Sequence, residues 1–500
     1  MIKIKTSNPQ KIKNFWNHCH FHPTDAVEDP WGKRILDRIS YDRSIDTVRI
    51  YTMFEDIAYL DGNGKICYDF RLNDLRLDYM IEKGFNLLLS YNFMPECIAK
   101  NKNSTSTVCK NKTRYKGKTI NTSVPSDYLA WEELCFEYTK HILQRYGTQI
   151  VSKWYLQCFN EPDIPQFFMS ELEGNSENTL IRLAEYCKLY EAFEKGVMRA
   201  GGEKLRIGGP ALAGSIDFFE GFLDYVNKKG LKLDFLSLHN YGTNPVKLSD
   251  GTCPLSVKNN VNKHLKYLDV IRAKGFDNTE IIYDEWGAST AGFFNRDDAP
   301  ELMFRETEVF SAYYVKLIYE FLKLDGNISK MLICLSGQHE MTEDFSGFRN
   351  FFTLNFIAKP IYNAYVLASK LHDTLIESES ENQNVSVVST KNANGKYAVL
   401  MVYCAENFDE NLPDICEDVN FEENLEGKTL KIYRIDKETT NPYRLYEKMN
   451  VKQQELTPQD LALLRNEGNI KPVSVSTLRA QEHVSVKMRA NSVVLITIDD

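Results

Sequence analysis

The chain reads as an α/β protein, a (β/α)8 TIM barrel with an appended antiparallel β-sandwich, and three observations predict it. From about residue 15 to 365, short continuous apolar runs alternate with longer amphipathic stretches, the texture of parallel strands buried on both faces by helices. After residue 366 the runs turn short and β-rich, with turn residues between them. The length, 500 residues, suits one barrel of roughly 350 residues plus a smaller module.

In chain order, residues 1–14 supply a strand (Ile2 to Lys5) that joins the sandwich, residues 15–365 form the barrel and residues 366–500 the sandwich. Eight apolar runs read as barrel strands: Phe15 to His20, Thr47 to Met53, Asn86 to Tyr91, Lys153 to Asn160, Arg206 to Gly209, Phe235 to His239, Glu280 to Glu285 and Lys330 to Leu335. Helical patterns lie between them, as in Tyr128 to Tyr146, Thr179 to Ala200, Asp217 to Lys229, Val257 to Lys274 and Arg305 to Leu324. Such alternation builds a closed barrel or a large doubly wound sheet. No GxGxxG opens a helix after a strand and no P-loop occurs, which lowers the nucleotide-binding option. Val385 to Thr390, Tyr397 to Cys404, Thr429 to Ile435 and Ser492 to Ile498 read as sandwich strands, and Asn394-Gly395 signals a hairpin between the first two.

Composition narrows the function. Apolar residues make up 43% and charged residues 26%, the balance of a soluble globular protein. A net charge of −9 argues against a nucleic-acid partner, and the basic stretch Lys100 to Lys118 reads as a solvated loop. There is no run of 18 apolar residues, so no membrane span is expected, and the first residues lack the apolar core of a secretory signal. The 11 cysteines include no CxxC and suit a reducing compartment, so a cytoplasmic location is expected.

A barrel's active site lies at the C-terminal ends of its strands. Two carboxylates stand there. The fourth run ends in Asn160-Glu161-Pro162, where Pro162 stops the strand because it lacks an N–H. The seventh ends in Asp284-Glu285-Trp286-Gly287, where Gly287 permits a turn. Cleaving a glycosidic bond needs such a pair, one protonated to donate to the leaving oxygen and one ionised to attack, about 5–5.5 Å apart in a retaining enzyme. Ionising one disfavours ionising the other, and Glu161 is assigned the proton, Glu285 the charge. His18, His20 and His22 alternate as zinc-binding histidines of barrel hydrolases do, but no strand-end lysine or later histidine pair completes that set. Neither a metal nor a cofactor is expected.

Asn160-Glu161-Pro162 after the fourth strand, with a glutamate on the seventh, resembles the clan of retaining barrel glycosidases. Further segments fall in order along nearly the whole chain. They are Asp46-Thr47-Val48-Arg49 leading into Phe54-Glu55-Asp56, Phe93-Met94-Pro95, Ser237-Leu238-His239-Asn240-Tyr241, Lys359-Pro360-Ile361-Tyr362-Asn363-Ala364-Tyr365, Tyr433-Arg434-Ile435-Asp436 and Asn441-Pro442-Tyr443. Together they resemble glycoside hydrolase family 39, the β-xylosidase and α-L-iduronidase family. The resemblance implies Glu161 as acid/base, Glu285 as nucleophile, Asn160 on the sugar 2-OH, His239 in substrate binding, Tyr241 orienting the nucleophile and Glu340 on sugar hydroxyls. Tyr51 and Trp286 are counted among the substrate-binding residues as well.

Two departures bear on the floor of the −1 subsite: Tyr51 stands where the family has histidine, and Ile333 precedes Cys334 where it has tryptophan. Tyr241 replaces a lysine of the iduronidase branch, which argues against a uronate, although Lys247 lies in the same loop. The implied function is an exo-acting retaining glycosidase, a β-xylosidase acting on short xylo-oligosaccharides. The alternatives are the same mechanism on another sugar (arabinopyranosidase, β-galactosidase or α-L-iduronidase) and a non-catalytic carbohydrate-binding protein. The expected partner is the oligosaccharide, with a homo-oligomer left open.

Overall fold

The computed structural model describes residues 1–21, 27–106, 120–243, 255–290, 294–335, 341, 343–479 and 483–500. Eight parallel strands close into a barrel: β1 (His18–His20), β2 (Thr47–Tyr51), β3 (Asn86–Tyr91), β4 (Tyr155–Cys158), β5 (Arg206–Leu212), β6 (Phe235–Thr243), β7 (Glu280–Ser289) and β8 (Ile328–Cys334), with β8 pairing back onto β1. A helix follows each: α1 (Pro30–Tyr41), α2 (Arg71–Glu82), α3 (Tyr128–Tyr146), α4 (Ser176–Arg199), α5 (Ile216–Lys229), α6 (Val257–Ala273), α7 (Glu308–Leu322) and α8 (Pro360–Ala368). Strands buried on both faces must be apolar throughout, which is why the runs stood out. The base of the lumen is filled by Leu88, Tyr155, Phe235, Ile282 and Leu332, so the barrel is a packed core that opens only at its C-terminal mouth.

Helix starts are set locally. The Asp29 carboxylate accepts from Trp31 N at α1, the Asp127 carboxylate from Leu129 N at α3, and the Ser215 hydroxyl from Phe218 N at α5.

A two-stranded hairpin, Ala58–Leu60 with Ile66–Tyr68, follows β2, and the other strands form two sheets around a shared core of aliphatic residues, Met401, Met488 and Tyr397. A seven-stranded sheet runs in the order Pro472–Thr477, Thr429–Ile435, Ser492–Asp499, Tyr397–Tyr403, Val385–Lys391, Thr374–Ile376, Gln10–Lys11. The other sheet has four strands, in which Ile2–Ile4 lies between Ser378–Ser380 and Ile415–Phe421, with Val484–Met488 beyond. The hairpin at Asn394-Gly395 is present, with Gly395 at φ +75° where glycine is favoured.

One feature departs from the sequence reading. Two helices, α9 (Pro442–Met449) and α10 (Pro458–Glu467), interrupt the β-rich region. Their cause is chemical: the Asn441 side chain caps α9 before Pro442, and Thr457 and Asp460 form a reciprocal capping box around Pro458. They pack Leu464, Tyr443 and Tyr446 onto Phe345 and Ile357, in the segment that follows β8 at the barrel mouth.

Candidate active site

Alternate residues of a barrel strand face the lumen. On β2 this brings in Arg49 and Tyr51, on β4 Gln157, and on β6 His239 and Tyr241. Strand β7 breaks the rule. Ser237 pairs with Ile282 but His239 pairs with Glu285, so β7 carries one extra residue against β6. This bulge lets two consecutive carboxylates, Asp284 and Glu285, both reach the lumen. Asp284 Oδ2 lies 3.1 Å from Arg49 Nη2 and accepts from Gln157 Nε2 at 2.8 Å. Glu285 Oε1 accepts from Arg49 Nη1 at 2.8 Å, with Tyr51 Oη 3.4 Å away, while Oε2 accepts from Tyr241 Oη at 2.7 Å. Tyr241 in turn accepts from Arg349 Nη1 at 2.7 Å.

Glu161 is aimed by its backbone. Phe159 and Glu161 lie at φ +64° and +44°, a region that costs a non-glycine residue about 1–3 kcal/mol. The surroundings hold them there. Ser90 Oγ donates to Phe159 O at 2.7 Å and Glu161 N to Ala211 O at 3.0 Å. The Asp163 carboxylate receives the N–H groups of Ala213, Gly214 and Ser215 at 2.9, 2.9 and 3.0 Å, tying the loop to the start of α5. Glu161 Oε1 meets His239 Nδ1 at 2.7 Å, and His239 Nε2 lies 3.4 Å from Asp284. Oxygens of Glu161 and Glu285 and a nitrogen of His239 all lie within 4.8 Å of one another.

Burial raises the Glu161 carboxyl above its ordinary value, and the neighbouring Glu285 charge adds to that. Burial would raise Glu285 too, but His239, Arg49 and Arg349 outweigh it and hold the carboxylate well below the usual range. Burial pulls His239 down, yet Glu285, Asp284 and Glu161 push it up to about 10. His239 is therefore an imidazolium with one N–H on Glu161 and the other towards Asp284. Glu161 Oε1 serves as acceptor for it, leaving Oε2 to carry the acid proton. The two carboxyls are poised in opposite states by their surroundings.

The structure gathers most of the predicted residues. Glu161, Glu285, His239, Tyr241 and Tyr51 meet at one mouth, and Asn160 joins them: its Oδ1 accepts from Arg49 Nη2 at 2.7 Å, while its buried Nδ2 has no hydrogen-bond partner among the described residues. Trp286 does not belong there. The bulge sends it outwards, fully buried, stacked on Tyr314 at 14° and donating Nε1–H to Tyr365 Oη at 3.2 Å. Ile333 likewise faces the helix layer, and Cys334 takes the lumen position, within 4.8 Å of both Glu285 and His20 ligand atoms. Gly287 makes no turn; it lies inside β7, where a Cβ would come within 3.1 Å of the Tyr241 ring. His18 has both nitrogens engaged, at Asn14 O (3.1 Å) and Thr47 N (3.3 Å). Glu340, Lys247 and His22 lie outside the described residues, as does much of the Lys100–Lys118 stretch.

Sequence reasoning gave no role to Arg49, Gln157, Asp284 or Arg349, and met His20 only in the zinc set it rejected. A signal existed for the first three. Each is a charged or amide residue inside an apolar strand, and such groups are buried only when paired. His20 sits beside them, Nδ1 on Arg49 O at 3.2 Å and Nε2 3.8 Å from Glu285; burial and Arg49 press its pKa down to about 3, so it is neutral.

Comparison with known proteins gives the family and the fold. The family model for glycosyl hydrolases family 39 matches residues 1–469. A β-xylosidase of Caldicellulosiruptor saccharolyticus is 26% identical over 463 residues, covering 88% of this chain and 85% of that protein. A canine α-L-iduronidase (Canis lupus familiaris) is 30% identical over 131 residues, 23% of this chain and 18% of that protein. The crystal structure of a monomeric β-xylosidase from Caulobacter crescentus CB15 superposes with a TM-score of 0.83 at 20% identity, covering 100% of this chain and 99% of that one, and so shares the fold.

Proposed function

The chain belongs to glycosyl hydrolases family 39 and is a glycoside hydrolase, and on that premise we propose an exo-acting, retaining β-xylosidase that trims short xylo-oligosaccharides. The observation that carries the mechanism is the approach of Glu161 and Glu285 oxygens to within 4.8 Å. Direct attack on the anomeric carbon needs such a short gap, whereas an intervening water would need about 6.5–9.5 Å. The sugar assignment is supported by the full-length likeness to β-xylosidases.

In the first half-reaction Glu285 bonds to the anomeric carbon as Glu161 Oε2–H passes its proton to the departing oxygen. In the second, Glu161 takes a proton from water, the water oxygen bonds to the anomeric carbon, and Glu285 leaves as a carboxylate. Asn160 holds the sugar 2-OH in this reading, which its buried Nδ2, without a hydrogen-bond partner among the described residues, supports. We also place this activity in the cytoplasm, which the unpaired thiols of the described cysteines support.

A panel of nitrophenyl glycosides tests the sugar; the xyloside should be turned over fastest, and a preference for galactoside, arabinopyranoside or iduronide overturns that part. Replacing Glu285→Ala should cut turnover at least about a thousandfold, and azide should restore a product of inverted configuration. Glu161→Ala should cost about 10²–10⁴ in kcat/KM on poor leaving groups and little in kcat/KM on dinitrophenyl glycosides, whose kcat falls through the lost base of the second half-reaction, with equal kcat/KM losses on both counting against its acid role.

A further inference from the structure

We propose that Arg349 is a positioning residue for the second half-reaction, acting through Tyr241 to stabilise the carboxylate that Glu285 becomes as the glycosyl–enzyme bond breaks. The proposal rests on Glu285 being the nucleophile. Arg349 is buried in the segment between β8 and α8. Its Nη1 donates to Tyr241 Oη at 2.7 Å, and that hydroxyl donates to Glu285 Oε2 at 2.7 Å. A phenol that accepts from a guanidinium donates more strongly, because linked hydrogen bonds polarise one another. The other oxygen, Oε1, has Arg49 at 2.8 Å. Each oxygen of Glu285 is thus backed by an arginine, one directly and one through a phenol.

The two half-reactions use that support in opposite ways. When the covalent bond forms, Glu285 gives up negative charge, so anything that stabilises its anion opposes the step. When the bond breaks, the electron pair of the ester C–O bond returns to Glu285, and the same stabilisation assists. Arg349 therefore favours release of the sugar over its capture.

Arg349 is firmly mounted for this role. The Lys359 ammonium forms a fully buried ion pair with Glu306 at 2.6 Å and donates to Phe348 O at 2.9 Å. Glu306 also accepts from Gly347 N at 2.7 Å. On the far side, Asp344 N donates to Gln453 Oε1 at 2.6 Å, a contact supplied by the linker between α9 and α10. The backbone preceding Arg349 is held by both parts of the molecule.

The test uses the dinitrophenyl glycoside of the preferred sugar, whose leaving group needs no proton, so that breakdown of the intermediate limits turnover. In Arg349→Gln, kcat should fall about tenfold and KM should fall with it, leaving kcat/KM within about threefold, with a burst of dinitrophenolate close to one per enzyme. Arg349→Lys should recover most of kcat. In a Tyr241→Phe background the Arg349→Gln substitution should lose more than about half its effect. Equal losses in kcat and kcat/KM, with KM unchanged and no burst, would overturn the proposal. If Arg349→Gln does not fold, Tyr241→Phe carries the same test: kcat and KM must fall together in it while Arg349→Lys stays near wild type, and kcat/KM falling with kcat unchanged overturns the role. Trapping with a 2-fluoro glycoside and mapping the adduct keeps the two readings apart. A label away from Glu285 removes the nucleophile assignment and this proposal with it; a label on Glu285 with wild-type kinetics in the Arg349 variants removes the proposal alone.

Discussion

At the scale of single residues, His239 decides how the site responds to pH. Its imidazolium faces Glu161, Glu285 and Asp284 together. It holds down both catalytic carboxyls, so His239→Gln should move the acidic and basic limbs of the kcat/KM profile to higher pH. A profile with both limbs unmoved would mean that His239 carries no charge. The same group links stability to pH. Its folded pKa, about 10, exceeds the ordinary 6.5, so its contribution is complete below pH 6.5 and is lost as pH rises through 10. His20 works in reverse: the unfolded chain takes a proton near pH 6.5 that the folded protein refuses until about 3, so stability is lost as pH falls across that window. Thermal unfolding should show Tm declining from pH 7 to 10, and less steeply in His239→Gln.

At the scale of elements, the bulge in β7 is the decisive local event. It places Asp284 and Glu285 side by side in the lumen and returns Trp286 to the helix layer. Sequence showed the strand but not the bulge, because an extra residue is defined by the pairing partner rather than by the strand's own composition. That is why Glu285 was legible and Trp286 was misassigned. Asn160-Glu161-Pro162 was legible for the opposite reason: its strand stop is written in adjacent residues. Past the bulge, Gly287 leaves room for the ring that steadies the nucleophile. Gly287→Ala should displace Tyr241, whose ring atoms would lie 3.1 Å from the new methyl, and lower kcat about ten- to a hundredfold while Tm falls by only a few degrees. Normal kcat in that variant would mean Tyr241 is not needed where it stands.

At the scale of the whole molecule, the eight barrel strands were readable because burial on both faces makes each run apolar. Helices α9 and α10 were overlooked among β-rich neighbours, although their capping residues stood in the sequence. They join the two halves. Leu464 of α10 is fully buried against Phe345 and Ile357, and Arg465 Nε donates to Asn355 O at 2.9 Å. Leu464→Ala should cost about 2–5 kcal/mol in denaturant unfolding and should also depress kcat, because the loosened segment carries Arg349. Lost stability with untouched kcat would show that the mouth is independent of this brace.

The placement of Ile2–Ile4 between Ser378–Ser380 and Ile415–Phe421 has a consequence for biosynthesis. A ribosome extrudes this strand hundreds of residues ahead of the partners on either side of it. Until they emerge, its backbone amides have only water or a chaperone to bond with. A nascent chain arrested just after α8 would keep that strand exposed, and emergence of Ser378–Ser380 and Ile415–Phe421, rather than closure of the barrel, sets the moment when it is sealed.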